Sequence, residues 1–206
     1  MSLRLSEFPS PRIAYVADHA RVLAALSVPT AVIWCRPEYW LRFSLVVVTL
    51  WLTRRRVRDQ LLDAAFCAAM VLAAWVGAVG WYPIVPGLAW LAHAVVPGLS
   101  AAVLYTVVDG PPPPSRQEGT AYFGRCVFLM TTFGLATATA WEIYEWCARH
   151  SFLIGTIYVD YDGTIGDLVL GGIGGGVAGL VLTHRRSSQG SDPSIKVAPG
   201  TSSTAF

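Results

Sequence analysis

Residues 61–81 read LLDAAFCAAMVLAAWVGAVGW and residues 88–108 read LAWLAHAVVPGLSAAVLYTVV, with only Tyr82-Pro83-Ile84-Val85-Pro86-Gly87 between them. At 1.5 Å per residue each block is long enough, as a helix, to cross the roughly 30 Å hydrocarbon core of a bilayer. Asp63 is the only Asp, Glu, Lys or Arg in either block. Lipid offers backbone N–H and C=O groups no partner, so such a block must satisfy them internally and be helical. Pro and Gly end both helices in the joint, and Trp81 and Tyr82 suit a membrane interface.

The same pattern continues outward from this pair. Apolar blocks run from Ile13 to Cys35, Tyr39 to Thr53, Tyr122 to Cys147 and about Ile165 to Thr183. Over the 206 residues 54% are hydrophobic and 14% charged, whereas soluble domains carry about 25% charged residues. The sequence therefore predicts an all-α fold, a polytopic transmembrane helix bundle of about six spans. Residues 1–186 form one transmembrane domain, and the Ser-, Gly-, Pro- and Thr-rich residues 187–206 read as a disordered cytoplasmic tail. The first two blocks are short: they are either thin or tilted spans, with Arg42 snorkelling to the interface, or a hairpin that does not fully cross.

Several classes are excluded. The basic residues sit in short joints, not in a stripe, so nucleic acid is not a partner. Cys35, Cys67, Cys126 and Cys147 have no CxxC spacing and form no disulfide framework, although Cys35 and Cys147 fall near one membrane face. Val32-Ile33-Trp34-Cys35 is a poor lipoprotein cleavage site, because Trp does not fit a small-residue pocket.

Orientation follows from Lys and Arg. With six spans and an inside N-terminus, only Arg36, Arg42 and Arg149 of the fifteen basic residues fall outside, and twelve fall inside. The run Arg54-Arg55-Arg56-Val57-Arg58 dominates this bias, which predicts a plasma (inner) membrane protein with both termini in the cytoplasm.

That topology gathers ionisable groups at the outer face: His93, Glu142, Glu145, Asp160, Asp162 and Asp167. Glu142 and Glu145 share a helix face, and charge near lipid is costly enough to suggest a purpose. The plainer reading is a solvated interfacial pair beside Trp141, Tyr144 and Trp146, with Glu145 paired to Arg149. For Asp167 the plainer reading is a capping box, Thr164-Ile165-Gly166-Asp167, at a helix start. A His with two or more carboxylates could hold a divalent cation, oxygen ligands suiting Mg, Ca or Mn and the His admitting Zn. Two carboxylates at different pKa values could instead act as acid and base, or bind a proton or a cationic headgroup.

Asp160-Tyr161-Asp162-Gly163 looks like the first motif of haloacid-dehalogenase phosphatases, but that family needs a soluble parallel sheet, which this chain lacks. The same residues lack the later acidic positions of a calcium loop. Gly171, Gly172, Gly175, Gly176 and Gly179 recur at four-residue spacing inside an apolar block, a helix-packing face that would draw the Asp167 end toward the Glu142 end.

Asp63 opening one span, His93 opening the next, Trp141-Glu142-x-x-Glu145-Trp146, and Asp162-x-Thr164-x-x-Asp167 at the start of a glycine-rich helix together resemble the YjdF-like predicted membrane proteins and, more distantly, the VanZ-like family. The resemblance covers roughly Arg55 to Val181 and departs at Trp90, where the family often carries an Asp three residues before the His. It implies an envelope-related role and no particular reaction. Three functions remain at this level: an outward acidic and His site for a cation or a polar lipid or envelope headgroup, an accessory or scaffold subunit meeting a membrane protein partner, and an enzyme acting on a lipid-linked phosphate.

Overall fold

The structure, a computed structural model, describes residues 11–34, 38–108, 119–151 and 161–190. Among the described residues it is entirely helical, with α1 (Pro11–Trp34), α2 (Glu38–Thr53), α3 (Gln60–Ala78), α4 (Leu88–Val107), α5 (Gly119–Ser151) and α6 (Tyr161–Gly190). Five of these are long and apolar enough to cross a membrane, and α2 is the shorter one. Its 16 residues rise about 24 Å, less than the hydrocarbon thickness.

Local chemistry sets the boundaries. Asp59 caps α3, its carboxylate accepting from the Leu61 and Leu62 amides at 2.9 and 3.1 Å. After Ala78 the chain turns through Gly80 and Gly87, both at positive φ (72° and 78°), where a side chain would be strained. The Tyr82 hydroxyl donates to the Ala73 carbonyl at 2.9 Å and folds the joint back on α3. This short joint makes α3 and α4 antiparallel neighbours.

The first block is longer than its apolar stretch suggested. α1 contains a 21-residue candidate span, Ile13–Ile33, that includes Asp18, His19 and Arg21. Arg21 is accommodated because Nη2 pairs with Asp63 Oδ1 at 2.5 Å, Nε donates to the Leu50 carbonyl at 3.3 Å, and Nη1 lies 3.5 Å from Asp18. Arg54 also reaches Asp18, at 3.5 Å. One cation thus ties α1, α2 and α3 together. Below it, Phe43, Leu50 and Phe66 fill the space between these helices, and Trp75 Nε1 donates to Ser27 Oγ at 2.9 Å.

Helices α4, α5 and α6 pack differently. Each touches the other two, and α6 lies closest to both neighbours. A Cβ on Gly98 would come within 2.7 Å of the Gly174 carbonyl oxygen, and one on Gly174 would strike the Ala94 carbonyl. On the other side of α6, Gly171 faces Gly134 and Ala138, Gly175 faces Met130 and Gly134, and Gly179 lies against Val127. Gly172 and Gly176 are looser, meeting only the Thr131 side chain at 3.9 and 3.1 Å. Backbone therefore lies against backbone, which only glycine permits. Pro97, buried within α4, has no N–H for the carbonyl of His93 four residues earlier.

Several boundaries differ from the sequence reading. α3 ends at Ala78, short of Trp81; α5 extends beyond Tyr122–Cys147 at both ends; and α6 is already helical at Tyr161. α6 also runs to Gly190, four residues into the segment read as tail. The rest of that tail, together with Cys35, Arg36, Asp160 and the Pro111–Pro114 joint, lies outside the described residues.

Candidate cation site

The close approach of α6 to α4 and α5 sets three ends side by side: the start of α4, the late turns of α5 and the start of α6. Each contributes one residue. His93 Nδ1 lies 3.4 Å from Asp167 Oδ1. One donor atom each from His93, Glu142 and Asp167 can be chosen so that all lie within 4.8 Å of one another. Two ligands on opposite sides of an ion are separated by about 4–5 Å for metal–ligand bonds of 2.0–2.6 Å. The group therefore fits a single coordination sphere.

Glu142 is the most enclosed of the three, with the residue 9% exposed. Its Oε2 accepts a hydrogen bond from Thr164 Oγ1 at 2.8 Å, while its Oε1 is buried with no hydrogen-bond partner. A buried carboxylate oxygen left without a partner costs free energy, and more so at membrane depth. A nitrogen and two carboxylates match Mn or Zn better than the all-oxygen sets of Mg and Ca, and three protein ligands leave positions open for a further ligand.

The remaining candidates lie apart. Glu145, one turn beyond Glu142, pairs with Arg42 across the bundle at 3.8 Å. Arg42 does not snorkel: it is 9% exposed, with its guanidinium 5.3 Å from the Trp141 ring centroid and 5.7 Å from that of Tyr39. Gly77 leaves space for it, since a Cβ there would meet Nη1. An isolated arginine in an apolar block was the signal that could have found this partner. Asp162 is exposed in the first turn of α6 and is not part of the group.

The capping reading of Asp167 is overturned. Tyr161 already begins α6, so Thr164 and Asp167 lie inside the helix, and the Thr164 hydroxyl serves Glu142 on α5. Thr164 was therefore placed by the sequence in the wrong role. Its three-residue spacing from Asp167, which puts both on one helix face, was the available clue.

The model of one family, described as predicted membrane protein (DUF2238), matches residues 20–188. The chain belongs to the DUF2238 family. This is the YjdF-like family, and the match takes in α1 from Ala20 onward and all of α2, which the resemblance had left unaccounted for. The DUF2238 match also spans His93, Glu142, Thr164 and Asp167. Comparisons with curated proteins and with solved structures gave no match.

Proposed function

We propose that this multi-pass membrane protein binds a divalent cation, Mn²⁺ or Zn²⁺, through His93, Glu142 and Asp167 where α4, α5 and α6 meet. The observation that carries the reading is the buried, partnerless Oε1 of Glu142 beside a His–Asp pair. A cation supplies the missing partner and offsets the two carboxylates. The twelve-to-three bias of basic residues supports an orientation with both termini in the cytoplasm. In that orientation the site sits near the outer face of the plasma membrane, facing the envelope.

The scaffold reading loses support because the glycines of α6 are used within the chain, against α4 and α5. Calorimetric titration of the full chain in detergent with Mn²⁺ and Zn²⁺ tests the cation reading. Glu142→Gln and Asp167→Asn should each weaken binding at least tenfold with helix content unchanged. Variants that bind as tightly as the parent overturn it. A reporter fused to the C-terminus tests the orientation, and its exposure on the outer side would overturn that part alone.

A further inference from the structure

The turn Arg54-Arg55-Arg56-Val57-Arg58-Asp59 joins α2 to α3 at the end of the bundle opposite His93. Its shape is fixed from within. The Arg56 and Val57 amides both donate to the Thr53 carbonyl, at 2.9 and 3.1 Å, and Val57 is tucked into the core of α1–α3. Pinned at Val57, the turn presents Arg55, Arg56 and Arg58 as exposed residues on either side of it. The carboxylates at this end are already committed. Asp18 lies 3.5 Å from both Arg21 and Arg54, Asp63 pairs with Arg21, and Asp59 accepts from the Leu61 and Leu62 amides. Among the described residues Arg55, Arg56 and Arg58 enter no ion pair. Three guanidinium groups are thus held close together with no counter-charge from the described residues.

The depth of the turn points to the counter-charge. α2 ends at Thr53, and the candidate span of α3 begins at Gln60, just after Arg58. The arginines therefore stand at the edge of the hydrocarbon core, at the level of the lipid headgroups. Trp51 and Leu52, in the last turn of α2, are 73% and 69% exposed, an indole and an alkyl group set at the height where headgroup gives way to acyl chain. All four basic residues of the turn are arginine. A guanidinium is more weakly hydrated than an ammonium and meets phosphate oxygens through a planar fork, so arginine suits a phosphate contact at a lipid surface. We infer that the α2–α3 turn binds the phosphate of an anionic membrane phospholipid through Arg55, Arg56 and Arg58, with Trp51 and Leu52 against the start of its chains. A zwitterionic lipid fits less well, because the cation in its headgroup is repelled by the same three arginines. This site lies at the other end of the bundle from His93, Glu142 and Asp167 and is independent of the cation reading.

Native mass spectrometry of the full chain counts the lipids it retains after incubation in detergent with equal amounts of phosphatidylglycerol and phosphatidylcholine of the same chain length. Phosphatidylglycerol should be retained at least tenfold over phosphatidylcholine. Arg55→Gln, Arg56→Gln and Arg58→Gln should each lower that preference roughly fivefold, the contribution of one arginine at a charged membrane surface. The triple variant should bring it within about twofold of parity, with helix content unchanged because all three side chains are exposed. Arg185→Gln, an exposed basic residue of α6 at the same end of the bundle, should keep the parent's preference. Prior incubation with inorganic phosphate should leave phosphatidylglycerol bound, and its displacement overturns the lipid assignment. Parity between the two lipids in the parent, or single variants that all keep the parent's preference, overturns the inference. A loss in Arg185→Gln as large as in the triple variant reduces the effect to net charge and overturns the assignment to this turn.

Discussion

The two halves of the bundle are held by opposite means. In α1–α3, large side chains fill the space between helices, and at one end Arg21 is matched by Asp63, Asp18 and the Leu50 carbonyl. In α4–α6, glycines bring backbones together, and at the other end two carboxylates and an imidazole share a small volume with one carboxylate oxygen left without a partner. In lipid, helices gain little from burying apolar surface, so packing and polar contacts decide their association. The comparison teaches that side-chain packing surrounds Arg21 with its counter-charges, whereas backbone packing draws two carboxylates together; buried polar atoms without a hydrogen-bond partner occur in both halves, at Arg42 Nε and Gln60 Oε1 as at Glu142 Oε1.

The largest effect expected from this contrast is at Gly175, where a side chain would run into the Met130 carbonyl. Gly175→Leu should abolish recovery of folded, monodisperse protein by size-exclusion chromatography in detergent; a well-folded variant would break the claim that α6 packs through its backbone. Next comes the ion pair of α1 and α3. Arg21→Ala leaves the Asp63 carboxylate, 15% exposed, without its principal partner and should cost about 3 kcal/mol in denaturant unfolding. The joint replacement Arg21→Met with Asp63→Leu should recover most of that loss, because an ion pair exchanged whole for apolar packing is often neutral.

The cation end should respond to its ligand instead. Mn²⁺ at a hundredfold excess over its dissociation constant should stabilise the folded protein by about 2.7 kcal/mol, an increment removed by chelator and absent in Glu142→Gln. Equal thermal shifts in parent and variant would place the ion elsewhere. The smallest change is Thr164→Val, which removes the hydroxyl that orients Glu142. It should cost about 1 kcal/mol and weaken the cation a few-fold, read by the same titration.

Much of the fold was legible because bilayer thickness writes itself into the length of apolar blocks. The pair at 61–81 and 88–108 needed nothing beyond composition and a Pro/Gly joint. Helix ends were less legible: α1 carries Arg21 within its length because Asp63, on another helix, accepts it. The site shows the same division. His93, Glu142 and Asp167 could be named from position along their helices, but the choice among five candidates depended on rotation about the helix axes. That rotation is set by which glycine meets which backbone, and Gly98, Gly134 and Gly174 carried no recognisable repeat.

Pro97 gives the site a mechanical property as well as a shape. Without an N–H at position 97 the turn bearing His93 is tied to the rest of α4 by one bond fewer than any neighbouring turn. Yet Ala94, next to the imidazole, and Gly98, just beyond the proline, both lie against the backbone of Gly174 on α6. What fixes His93 opposite the two carboxylates is therefore the contact of α4 with α6, and not the hydrogen-bond ladder of its own helix.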